Sequence, residues 1–311
     1  MCPVCHLGMS TMTAYNAVLL IFVDCIGLFG NVNFMLITVL FKQFRMNVCA
    51  LLMGMVSFCD AVLEIVIIVI SACLLSGCHF YQHTCFYILA IPIFLNCVQT
   101  GLMFSISVER LIAVAWPLWY QNVQTTLLFA VSFVPGTIFG GLVVITGLVY
   151  IQANETIPTC NVPVSLNPTA YELWNRISLG VNVVMIVVYV VACVILWLKA
   201  RKSSSDYIKT QITVMKTIVC IVIFYIITWV LPDFIGLAKA MFSLEAEVLI
   251  YAPSFFAHLC FTGNFYIYMW RNQSYRDCFK KMYVCDCRHR NVSFVVSAMT
   301  SSMRGPTTTA Q

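Results

Sequence analysis

Long apolar runs alternate with short polar breaks along almost the whole chain. Crossing the hydrocarbon of a bilayer takes about 20 apolar helical residues. Seven runs reach that length: Ala14–Phe41, Val48–Leu75, Cys85–Val114, Thr126–Ile151, Leu173–Leu198, Val214–Lys239 and Val248–Trp270. A short polar helix, Gln273–Tyr283, follows them. Inside lipid every backbone amide needs a partner, so each run is a helix unless the chain closes into a barrel. The runs are too long and too continuously apolar for a barrel's strand alternation. The pattern predicts an all-α fold, a seven-transmembrane helix bundle with a short amphipathic cytoplasmic helix after the seventh span. Residues 1–13 form an extracellular N-terminus, 14–270 the bundle, 271–283 the juxtamembrane helix and 284–311 a cytoplasmic tail.

Composition agrees with a lipid solvent. Of 311 residues 61% are hydrophobic and only 9% charged, and the mean hydropathy is +0.92, more apolar surface than one soluble core hides. Seven spans divide the loops into two sets, and one of them carries fifteen of the seventeen Lys and Arg residues. The other holds only Arg176 and Lys239. Basic loops stay in the cytoplasm, so the N-terminus is expected outside and the tail inside a plasma membrane that the chain crosses several times. The net charge of +5 then reads as attraction to anionic inner-leaflet lipid, with no case for nucleic acid. Met1–Ser10 lacks a basic leader, and the first span is expected to act as the insertion signal.

That orientation sorts the sixteen cysteines. Most lie within spans, where a thiol behaves as a small apolar group. Cys2, Cys5, Cys78, Cys85 and Cys160 fall on the oxidising side. Cys85 lies at the outer end of the third span and Cys160 in the longest outer loop, so a bridge between them would tie that loop across the bundle mouth. Cys78 competes as a partner, since spacing alone does not fix connectivity. Asn154-Glu155-Thr156 in the same loop is a glycosylation acceptor.

The third span ends in "SVERLIAVAWPLWY" (Ser107–Tyr120). Glu109-Arg110-Leu111, with Pro117, Leu118 and Tyr120, resembles the acid-Arg-Tyr and Pro-Leu-x-Tyr motifs of rhodopsin-like G-protein-coupled receptors. Gly30-Asn31, Asp60, Cys85, Cys160 and Asn264-Phe265-Tyr266-Ile267-Tyr268 occupy that family's expected slots. More narrowly, "GLFGNVNFMLITVLF" (Gly27–Phe41) and "NFYIYMWRNQSYRDCF" (Asn264–Phe279) resemble the nematode serpentine chemoreceptors of the Srsx type. The resemblance implies that Glu109 holds Arg110 at rest and that activation frees Arg110, with Asn264, Tyr268, Trp229 and Pro232 in the rearrangement. It also implies a polar core in which Asp60 gathers water or sodium with Asn31 and Asn264. Gln99 stands where the family often has a small hydroxyl, which speaks against sodium. In an arbitrary membrane protein the same residues would be an interfacial ion pair and a hydrated packing cluster.

Several positions depart from the pattern. Leu111 replaces the tyrosine, Phe265 the seventh-span proline, and Pro232 lies one residue beyond the usual Trp-x-Pro spacing, which leaves the direction of Trp229 open by about 100° of helix rotation. Asn96, Asp233 and His258 on the outer half, with Glu64 deeper, are candidate ligand contacts in a mixed apolar-polar pocket. Each also has a bland reading: an interhelical hydrogen bond for His258, interface water for Asp233, and for Asp24 a neighbouring helix. Pro92 stands where amine receptors carry an aspartate, and His258 where opsins carry the retinal lysine. No cofactor is expected, covalent retinal included.

In the tail, Cys285 and Cys287 beside Lys280 and Lys281 suit acylation or are ordinary thiols. Its serines and threonines are candidate kinase sites for an arrestin-like partner, or simply a polar terminus. Catalytic signatures are lacking: there is no phosphate loop and no paired carboxylates in a soluble cleft. Cys2-Pro3-Val4-Cys5 lacks a fourth metal ligand. The expected function is a non-enzymatic receptor that answers a small external cue by activating a heterotrimeric G protein. The alternatives are a neuropeptide receptor of the same fold or, on the strength of Asp24, Asp60, Glu64 and Asp233, a transporter or ion path.

Overall fold

The computed structural model describes residues 11–78, 80–151, 156–157, 159–202, 206–230 and 248–283. Among them, six helices are long and apolar enough to cross a membrane. The first, second and third spans are Thr11–Leu40, Val48–Leu75 and Gln82–Ala115. The fourth runs over Thr125–Ser132 and Val134–Val149, interrupted at Phe133 because Pro135 supplies no amide proton and starts the second segment. The fifth is Pro168–Lys202 and the sixth Asp206–Tyr225, continued by a π-helical turn at Ile226–Val230. Val248–Arg271 is the helix of the seventh predicted span, and Gln273–Tyr283 the juxtamembrane helix, with the predicted bounds. The predicted residues Asn154, Pro232, Asp233, Cys285 and Cys287 lie outside the described residues.

The third span is the most buried of the six and the fourth the least, as expected of a central strut and a lipid-facing pillar. Their contact depends on glycine. A Cβ on Gly101 would lie 2.4 Å from the Gly136 Cα, and one on Gly136 would lie 2.7 Å from the Val98 carbonyl oxygen. Small residues let helices approach closely where lipid removes the hydrophobic drive to associate.

At one end of the bundle, Cys85 is bridged to Cys160, which settles the choice between Cys78 and Cys85. Phe80–Tyr81 pairs antiparallel with Thr156–Ile157, Phe80 opposite Ile157, so the bridged loop is also held by a short ladder. At the other end the juxtamembrane helix docks through Tyr275, which stacks on Phe34 at 4.7 Å and packs against Phe44 at 4.1 Å. Gln43 Nε2 donates to Cys278 Sγ at 3.2 Å. Arg276 donates to the carbonyls of Met269 and Trp270, which the end of a helix leaves without intrahelical partners.

Gly101→Ala is expected to push the third and fourth spans apart and to cost about 1–3 kcal/mol, the usual penalty for overpacking. Gly141→Ala, where an added Cβ meets nothing within 4 Å, is the matched control. Thermal unfolding of both variants in detergent is the measurement.

Candidate functional site

Among the described residues, three sets of polar groups bear on the predicted site residues. The first lies where the third span ends. Glu109 and Arg110 are 5% and 3% exposed, and the guanidinium pairs with the neighbouring carboxylate. A cation this far from water is tolerated when a counter-charge neutralises it. Tyr120, on the short helix Pro117–Asn122, donates its hydroxyl to the same carboxylate and accepts from Arg110 Nη2 at 3.3 Å. Three groups therefore share one buried knot. Beside it Lys199 of the fifth span donates to the carbonyls of Val114 and Ala115 at 2.8 and 3.0 Å. That placement suits the negative end of the third helix's dipole.

The second set lies mid-bundle. Gln99 Nε2 donates to Asp60 at 2.7 Å, and Asn264 Nδ2 reaches the other carboxylate oxygen at 3.4 Å. Asn31 does not join them in the expected way. Its amide donates to both oxygens of Glu64, at 3.0 and 3.1 Å, and to the Phe261 carbonyl at 3.2 Å. Gly27 makes room for this, because a Cβ there would lie 2.0 Å from Glu64 Oε1. Two neighbouring carboxylates are thus served by separate amides, and Glu64 faces the first span.

The third set lines a small cavity on the scale of ordered water. Asn96, Gln99, Thr100 and Met103 of the third span form one wall, and Tyr225, Trp229, Phe261 and Asn264 the opposite one. Trp229 thus faces inward, stacked near Tyr225 at 6.3 Å and tilted against Phe261 at 5.6 Å. The π turn accounts for this: a turn with an extra residue alters the phase of the helix, which offsets the one-residue displacement of Pro232. Asn96 accepts from the Trp174 indole at 3.4 Å. His258 is absent from this wall and instead makes an interhelical hydrogen bond with Asp24 of the first span at 2.7 Å.

A family model described as serpentine type 7TM GPCR chemoreceptor Srsx matches residues 24–283. The chain belongs to this receptor family. No curated protein matches it. As an Srsx receptor it is a multi-pass membrane protein and not an enzyme. The matched region contains the buried Arg110 knot, the Asp60 group and the cavity. Sequence reasoning singled out Glu109 and Arg110 of this Srsx knot but not the roles of Tyr120 or Lys199. Tyr120 was visible as part of a motif, and its hydrogen bond to Glu109 depends on how the chain turns after Pro117. Lys199 looked like one more charge in a basic loop.

Gln99 is the residue that most directly satisfies Asp60. Gln99→Leu is expected to destabilise the receptor by about 1–3 kcal/mol, the cost of leaving a buried acceptor short of a donor, with Val98→Ala on the fourth-span side as a packing reference. A chemical-denaturation series in lipid nanodiscs measures both.

Proposed function

We propose that the receptor sits with its Cys85–Cys160 end outside and its Arg110 end in the cytoplasm, and converts binding of a small external molecule into activation of a heterotrimeric G protein. The observation that carries this reading is the buried knot of Glu109, Arg110 and Tyr120. A cation held by two partners at the end of the most buried span is a two-state element: the arginine is either engaged inside the bundle or released to face a partner. A ligand biases such an equilibrium only as far as it binds one state better. Glu109 is the latch, Arg110 the moving contact, and Tyr120 a second hold on both.

The cavity between Asn96 and Trp229 supports the sensory half. Its walls offer amides, two hydroxyls and aromatic faces, with no charged side chain among the described residues, while Asp60 and Glu64 are each served by neighbouring amides. That chemistry suits a compact neutral molecule with hydrogen-bonding groups and an apolar body, and the water-sized cavity must widen between the third, sixth and seventh spans to take it. It enters from the bridged end, and its contacts reach Trp229 on the sixth span and Phe261 on the seventh. The Asp60, Gln99 and Asn264 bridge lies directly below and connects the second, third and seventh spans, so displacement at the cavity has a route to the knot.

The test is GDP–GTP exchange on a purified heterotrimeric G protein with the receptor in nanodiscs. Arg110→Gln is expected to abolish exchange. Tyr120→Phe removes one hold on the latch, a hydrogen bond worth about 1 kcal/mol, and is expected to raise ligand-independent exchange roughly fivefold. Exchange unaffected by Arg110→Gln overturns the coupling mechanism. In reporter cells exposed to a panel of small neutral compounds, Asn96→Ala is expected to weaken potency about tenfold or more, as losing one well-formed polar contact does.

A further inference from the structure

Asp24 and His258 are absent from the cavity wall and from the Asp60 group, yet Asp24 is fully buried and His258 is 5% exposed. Their 2.7 Å contact joins the first span to the seventh. The other Asp24 oxygen is buried with no hydrogen-bond partner among the described residues, so His258 is the group that answers this carboxylate. Both carry chemistry too costly in lipid to be incidental.

What His258 touches next gives the pair a use. Its ring meets Phe261 edge-on, with centroids 5.6 Å apart and planes at 82°. Phe261 in turn packs against Trp229, also at 5.6 Å, and both of those rings line the cavity. The same turn is gripped twice more from the first span: Asn31 donates to the Phe261 carbonyl at 3.2 Å, and Thr262 donates to the Val23 carbonyl at 3.3 Å. His258, Phe261 and Thr262 are three and four residues apart, so they share one side of the helix. That stretch of the seventh span is keyed to the first.

We propose that Asp24 and His258 form a positioning clasp through which the first span fixes the Phe261–Trp229 ring pair at the wall of the ligand cavity. Neither residue touches the ligand; both are positioning residues for its recognition. The first span, which contributes nothing to the cavity wall, thereby determines the shape of that wall. Opening the clasp frees the His258 ring, and Phe261 and Trp229 relax together because each is the other's packing neighbour. The proposal rests on the reading of this cavity as the ligand pocket.

The test reads Trp229 directly. The full chain in nanodiscs is labelled with 5-fluorotryptophan, and Trp229 is identified among the six tryptophans by its loss in Trp229→Phe. In 19F NMR, Asp24→Ala is expected to shift the Trp229 resonance while that of Trp174, on the fifth span and hydrogen-bonded to Asn96, stays in place. Asp24→Asn keeps an acceptor for His258 and is expected to restore the wild-type position. His258→Phe keeps a ring against Phe261 but no nitrogen for Asp24, and is expected to shift the resonance as Asp24→Ala does. The double variant Asp24→Ala with His258→Phe shifts it no further than either alone, the non-additivity of residues that act as a unit. If Asp24→Ala fails to fold, His258→Phe and Asp24→Asn carry the comparison.

A Trp229 resonance that stays in place in the folded Asp24→Ala or His258→Phe variant overturns the clasp, as does Trp174 moving equally with Trp229. The spectrum is read without agonist or G protein, so a negative result there sinks the clasp alone. A clasp that behaves as expected, together with Asn96→Ala leaving compound potency intact, sinks the pocket reading instead.

Discussion

A charged or amide side chain inside hydrocarbon has no water to turn to, so its cost is met by another protein group or not at all. That constraint organises this receptor. Asp24 finds His258, Glu64 finds Asn31, Asp60 finds Gln99 and Asn264, and Glu109 finds Arg110 and Tyr120. Except at Glu109, whose partners lie on its own helix and the turn after it, each pairing crosses between spans. Satisfying the polar groups and fixing which helices touch are therefore one process. The apolar surface outside is interchangeable with lipid, whereas these pairs are not interchangeable with one another.

The same constraint bears on the two arrangements proposed for the bundle. Pure van der Waals packing between greasy helices has many near-equal solutions, but a buried ion has few acceptable partners. On the proposed mechanism, moving Arg110 out of its knot would exchange one defined set of contacts for another and leave little that is acceptable between. Close glycine contacts at Gly101 and Gly136 hold the third and fourth spans tightly together, so such a change would fall to the fifth and sixth spans. Lys199 holds the fifth span to the end of the third by two carbonyl contacts.

Span existence was legible because a twenty-residue apolar run admits few alternatives. The second span and the juxtamembrane helix have the bounds read from the pattern alone. The third and fifth helices run several residues beyond their predicted ends, because amphipathic residues such as Gln82 and Lys199 continue a helix past the hydrocarbon by reaching polar partners. Partner choice was much less legible. Asn31 and Asn264 looked equivalent around Asp60, and only the space left by Gly27 directs Asn31 to Glu64 instead. His258 could face the ligand or another helix on sequence grounds, since a span's rotation relative to its neighbours is not encoded in its own periodicity when every face is apolar. Trp229 illustrates the same limit: its direction depends on a π turn whose extra residue has no sequence signal in Ile226–Val230.

The placement of charge also bears on what kind of molecule this fold admits. A transport path through the bundle would need carboxylates strung along a wet passage, accessible in turn from both sides. Here Asp24, Glu64 and Asp60 are each fully buried, each has a partner, and none lines the cavity. Their hydrogen bonds run sideways, from the first span to the seventh, the first to the second and the second to the third, which is the direction that locks helices together. A group spent on holding two helices is a poor relay for an ion and a good reporter of whether those helices have moved. Of the acidic residues that suggest conduction, Asp24, Asp60 and Glu64 are by their geometry joints between helices.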